Sequence, residues 1–153
     1  MTALTDYLDA AGVDYEVVEH RRTVTAAEDA QAVGARAADE AKTVLLRIGG
    51  SYGLAVVPAS ERLDLHKLRA RVGQGEELRL ASEDEMAAEF PEYELGALPP
   101  VGPTMPSLEV MDPRLLDCER VACTAGDHTH SLWMKPNDLT RLADPIVADI
   151  CQD

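Results

Sequence analysis

Positive charge is scarce in this chain of 153 residues: 14 Lys and Arg stand against 28 Asp and Glu, a formal net charge of −14. Only Lys42, Lys67 and Lys135 are lysines. A global excess of this size repels polyanions, so a protein that coats nucleic acid, DNA included, is excluded; a small basic site on an acidic body is not. Cysteine is also sparse. Cys118, Cys123 and Cys151 are odd in number and lack CxxC spacing, which argues against a disulfide framework and suits a reducing cytoplasm. No apolar run approaches the roughly 20 residues that cross a bilayer, and no basic segment leads into an apolar one. A membrane partner is not expected.

What is present reads as globular. Apolar residues make up 46% of the chain, too many for a disordered acidic tail. A chain of this length can bury about 70% of its unfolded surface without a staple. One domain spanning residues 1–153 is expected. The charge is uneven. Between Arg62 and Arg79 lie Arg62, Lys67, Arg69, Arg71 and Arg79, whereas Ser82 to Glu94 holds six acids and no base. A solvated acidic face, with or without adaptation to salt, accounts for the second stretch.

Hydrophobic periodicity predicts short alternating helices and strands. Leu4, Leu8 and Ala11 fall at helical spacing before Gly12, and Asp14 to Glu19 reads as a strand. Thr25-Ala-Ala-Glu28 and Ser82-Glu-Asp-Glu85 are capping-box patterns that open helices ending at Gly34 and before Pro91. Lys42–Ile48 and Tyr52–Val57 flank Gly49-Gly50-Ser51 as a hairpin. Asp64 caps a helix reaching Val72. Four further strands are expected at Leu108–Met111, Arg120–Thr124, Thr129–Lys135 and Ile146–Ile150, with a helix from Pro136 to Leu142. The fold class is α/β, a single mixed-sheet domain flanked by helices.

Four local features carry candidate chemistry. Gly49-Gly50-Ser51-Tyr52-Gly53 matches the nucleophile-elbow pattern, but that motif needs a helix after the turn and the residues here continue as a strand. His128 and His130 lie two apart, with Cys123 and Asp127 nearby; a zinc site is one reading, a polar pocket wall or a stabilised turn the others. Lys42 opens an otherwise apolar strand, where its amine can meet a carbonyl, carboxylate or phosphate oxygen, or simply snorkel to solvent. Gly96 to Pro106 contains six Gly or Pro in eleven residues, which excludes helix and central strand. Its glycines permit close backbone approach to a ligand.

Ala41-Lys42-Thr43 at a strand start, Gly96-Ala-Leu-Pro-Pro-Val-Gly102 and Gly126-Asp-His-Thr-His-Ser131 together resemble the YbaK/prolyl-tRNA-synthetase-associated editing-domain family. The stretches His20–Glu28 and Leu63–Leu68 share the likeness, which runs from about Leu4 to Ile150. The resemblance implies hydrolysis of a mischarged aminoacyl-tRNA ester in trans, without cofactor, metal or protein nucleophile. The partners implied are the acceptor end of a mischarged tRNA and an aminoacyl-tRNA synthetase. Lys42 and His130 would be catalytic. His20, Thr43, Gly96, Ala97, Leu98, Pro99, Gly102, Thr124, Gly126, His128 and Ser131 would bind substrate, with alanine, cysteine and serine esters as candidates. Departures are Arg21-Arg22 after His20 where Pro is common, Val101 where an aromatic is frequent, and Asp127 in the turn. A module that binds the same ligand without hydrolysing it, and a metal-dependent hydrolase using His128 and His130, are the alternatives.

Overall fold

The computed structural model describes residues 2–73 and 76–153. The chain runs α1 (Thr2–Ala11), β1 (Tyr15–Glu19), α2 (Ala26–Val33), a 3-10 turn (Ala37–Asp39), β2 (Ala41–Ile48), β3 (Ser51–Pro58), α3 (Leu65–Arg71), β4 (Leu78–Leu80) and α4 (Glu83–Glu89). It continues through β5 (Glu109–Met111), a 3-10 turn (Pro113–Asp117), β6 (Val121–Thr124), β7 (His130–Met134), α5 (Pro136–Ala143) and β8 (Ile146–Val147). The mixed α/β class expected from the sequence is the class observed.

Local chemistry sets the element ends. The Ser82 hydroxyl accepts from the Glu85 amide and the Glu85 carboxylate accepts from the Ser82 amide, so that capping box is complete. At α2 the box is only half made. The Thr25 hydroxyl accepts from the Glu28 amide, but that same hydroxyl, and not the Thr25 amide, meets the Glu28 carboxylate. The Asp64 carboxylate caps α3 by accepting from the amides of His66 and Lys67.

Two sheets form. One is antiparallel in the order β1-β7-β6; the other is mixed in the order β4-β2-β3-β5-β8. The expected hairpin pairs β2 with β3 through the register Ala41–Pro58 to Ile48–Ser51. Strand β4 is not foreseen in the sequence, and β8 covers two residues where five are expected: beyond it the chain leaves β5 for the segment before α3, where Ile150 accepts from the Asp64 amide and Cys151 bridges Leu63. A single parallel bridge between Glu40 and Ala122 joins the start of β2 to β6.

Alternation along these strands then sorts their side chains by face. Ala41, Val56, Val121, Cys123, Leu132 and Met134 pack in one core with Leu4 and Leu8 of α1 and Leu139 of α5. Burying Leu4 and Leu8, each at most 1% exposed, contributes about 1.5–3 kcal/mol apiece. Leu46, Ile48, Ala55 and Val57, on the opposite face of the β2–β3 hairpin, pack against Leu68 of α3. Leu45 and Leu54 meet Met86, Phe90, Tyr93 and Leu98 in a third cluster.

Candidate active site

Residues of one face of the antiparallel sheet gather the expected polar groups. Thr124 pairs with Ser131, and Ser131 with Val18, so these side chains share a face, and His20 lies two residues beyond Val18. The contact is direct: His20 Nε2 lies 2.9 Å from Ser131 Oγ. His20 Nδ1 lies 2.7 Å from the Arg21 carbonyl. Since a carbonyl can only accept, Nδ1 carries the proton, and in the neutral ring Nε2 accepts from the Ser131 hydroxyl. The Glu40–Ala122 bridge extends this face onto β2. By alternation from that pair, Lys42 lies on the Glu40 side of β2 and Thr124 on the Ala122 side of β6. Lys42 is half-buried and, among the described residues, makes no hydrogen bond or ion pair.

The glycine–proline loop and the β6–β7 turn are stitched together. The Glu94 amide donates to the Gly126 carbonyl (2.9 Å), and the Glu94 carboxylate accepts from the His128 amide (3.2 Å). His128 Nε2 donates to the Leu95 carbonyl at 2.6 Å. That bond leaves Nδ1 as an acceptor, buried and without a partner. The Thr23 amide donates to the His128 carbonyl (3.0 Å), tying in the segment after β1. Gly126 has φ +99°, and a Cβ there would come within 2.8 Å of the Tyr93 ring; a Cβ on Gly102 would come within 2.9 Å of the Tyr93 hydroxyl. Both glycines are therefore required by the tyrosine packed between loop and turn. Gly96, at φ +79°, places its Cα beside the His128 ring.

The structure separates other expected residues from this face. Thr43 stands on β2 one residue from Lys42 and so on the opposite side, level with Val56 of the first core, with its hydroxyl buried and unpartnered. His130 likewise alternates with Ser131. Its Nδ1 meets Asp127 at 3.0 Å and its Nε2 meets Glu19 at 3.3 Å. Ala97, Leu98, Pro99 and Val101 are buried, Leu98 and Val101 in the cores described above. The Ala97 amide donates to the Glu94 carbonyl (3.0 Å) and is not free for a substrate. Ser51 donates to the Ile48 carbonyl (3.1 Å) in the hairpin turn, so the elbow-like motif is a turn followed by a strand.

Two acids without a motif of their own are buried near the start of β2. Glu40 is fully buried with neither carboxylate oxygen partnered. Burial, followed by the nearby Asp29 carboxylate, pushes its pKa up to about 9. Asp29 is also buried and raised by burial, although the Thr23 hydroxyl donates to it. A Glu preceding an apolar strand reads as exposed; only the non-local bridge to Ala122 buries it. Among the described residues no group of three or more side chains is placed to hold a metal ion.

Residues 20–142 match the aminoacyl-tRNA editing domain family. The chain belongs to that family. No curated protein matches it. Among solved structures, a proposed trans-editing enzyme for prolyl-tRNA synthetase is 30% identical, with 97% of this chain and 94% of that one covered and a TM-score of 0.86. The hypothetical protein APE2540 is 25% identical over 97% of this chain and 98% of its own, at a TM-score of 0.84. A scaffold used for computational epitope grafting is 30% identical, covering 99% and 96%, at 0.85. The editing domain therefore keeps its fold across these relatives, and the family likeness seen in the motifs is confirmed by the match.

Proposed function

We propose that this editing domain hydrolyses the ester of a small amino acid mischarged onto tRNA, acting in trans. The observation that carries the reading is the unpaired Lys42 amine on the same face as Thr124, Ser131 and His20. An amine held half-buried without a carboxylate is available to the aminoacyl-adenosine end.

Water attacks the ester carbonyl, the carbon–oxygen bond to the ribose breaks, and the ribose oxygen leaves with a proton. The products are the free amino acid and uncharged tRNA. Lys42 opposes the charge that develops on the carbonyl oxygen, Gly96 lets the chain pass close to His128, and His20 with Ser131 and Thr124 shapes the wall. His130, held by Asp127 and Glu19, positions the turn from the other side. A protein nucleophile is disfavoured by burial. The Ser131–His20 pair has the spacing of nucleophile and base, but Ser131 is fully buried. The similarity to a proposed trans-editing enzyme for prolyl-tRNA synthetase supports tRNA(Pro) as the carrier.

Hydrolysis of alanyl-, cysteinyl- and seryl-tRNA(Pro) by the purified protein tests the reading. Turnover of at least one, and not of prolyl-tRNA(Pro), is expected. Saturable binding without release of the amino acid from any of them would replace the enzyme with a binding module.

A further inference from the structure

A concavity of about 790 Å³ is lined by none of the residues assigned above. It is lined by Arg36, Arg120, Trp133 and Lys135 together with the acids Asp117 and Glu119. The Arg120 guanidinium lies over the Trp133 ring, 4.6 Å from its centroid. Arg36 is held by Asp39 through two hydrogen bonds of 2.9 and 3.1 Å. Among the described residues, Arg120 has only Glu16 at 4.0 Å as an ionic neighbour, and Lys135 is exposed. Trp133 pairs with Ala122, as Ser131 pairs with Thr124, so the tryptophan and the candidate active site share a sheet face. The two residues from Ser131 to Trp133 span about 7 Å along β7, close to the reach of one nucleotide.

We propose that this groove binds the single-stranded 3′ end of an RNA and favours bases that carry an exocyclic amine, cytosine, adenine and guanine, over uracil. The proposal rests on the tRNA reading above and names where that partner lies. A planar guanidinium already seated on an indole is a platform that a nucleobase extends by stacking. Arg120 and Lys135 meet phosphate oxygens. Asp117 and Glu119, unfavourable to a bare phosphate chain, are suited to accept from an exocyclic base amine, which uracil lacks; uracil has only its ring N3–H to donate. In a chain of net charge −14, a groove whose acids and bases balance is also a region where an RNA end meets comparatively little repulsion.

Trp133 is the single tryptophan of the chain, so intrinsic fluorescence reads this groove alone. Titration with the uncharged RNA tetranucleotide ACCA should change the emission saturably, with UUUU several-fold weaker. The exposed pair of changes Arg120→Ala and Lys135→Ala should weaken ACCA by about tenfold or more, and added salt should weaken what remains. No saturable change with ACCA, equal response to UUUU, or an unchanged affinity in the double variant would overturn the proposal. The Lys42→Ala variant should keep the titration. A protein that binds ACCA this way yet hydrolyses no mischarged tRNA sinks the deacylase reading alone. Full deacylation by the double variant at unchanged KM sinks the groove alone.

Discussion

Two ends of the molecule treat their charges in opposite ways. Around the C-terminal segment Lys67 and Asp112 are matched. Lys67 reaches Asp149 at 3.2 Å, Asp153 at 2.8 Å and the Cys151 carbonyl at 2.7 Å. Asp112, fully buried, accepts from the amides of Arg114 and Ile150 and pairs with the Arg114 guanidinium at 2.9 Å. Burial works against its ionised form, but those hydrogen bonds hold its pKa below the ordinary carboxylate value. At the start of β2 the reverse holds. Among the described residues, the Lys42 amine has no partner and Glu40 is buried with both oxygens unsatisfied, and in the β6–β7 turn His128 Nδ1 is orphaned. Buried polar groups are normally satisfied, so a cluster of exceptions marks where the fold is organised for something other than stability.

Breaking the matched end should produce the largest effect on folding. Asp112→Ala leaves two buried amides and a guanidinium without their acceptor, and a loss of about 3–5 kcal/mol is expected by denaturant unfolding. The unmatched end should respond in activity instead. Lys42→Ala should lower deacylation by about 10²-fold or more while the melting temperature stays near that of the parent; an unchanged rate would take the amine out of the reaction.

A smaller effect sharpens the contrast through pH. A carboxyl raised to about 9 in the fold, against the ordinary value near 4.5, binds its proton more tightly folded than unfolded. Its contribution is therefore full below about pH 4.5 and is lost as pH rises through about 9. Glu109, raised by burial to about 8, acts in the same direction. Stability should fall between pH 5 and 9, and Glu40→Gln should flatten that slope by part of its size, as measured by urea midpoints across pH. An unaltered slope would show that Glu40 is ionised in the fold. The smallest change is expected at the turn. Asp127→Asn removes the charge facing His130 and should cost under about 1 kcal/mol, with turnover reduced only slightly. A loss as large as that of Lys42→Ala would move His130 into the reaction.

Much of this arrangement is legible in the amino-acid sequence. The hairpin, the Ser82 box, the Asp64 cap and the irregular glycine–proline stretch are all written in local patterns that one short window contains. The face on which each site residue stands was not. Alternation says that Lys42 and Thr43 oppose each other, but only the Glu40–Ala122 bridge, between segments 82 positions apart, says which of them joins Thr124. The same long-range contact hides Glu40, whose charge and position at a strand mouth suggest solvent. Strand β4 escaped notice because Leu78-Arg-Leu80 is too short to show a period, and exists by pairing with Leu46 to Ile48.

The tyrosine wedged against Gly126 on one side and Gly102 on the other makes a gauge block of the loop and the hairpin tip. Their separation is set by one phenol, its ring edge against the turn and its hydroxyl against the loop, so neither rim can shift alone. A descendant that needed a roomier cleft would have to remodel position 93 before any change to the walls could take effect.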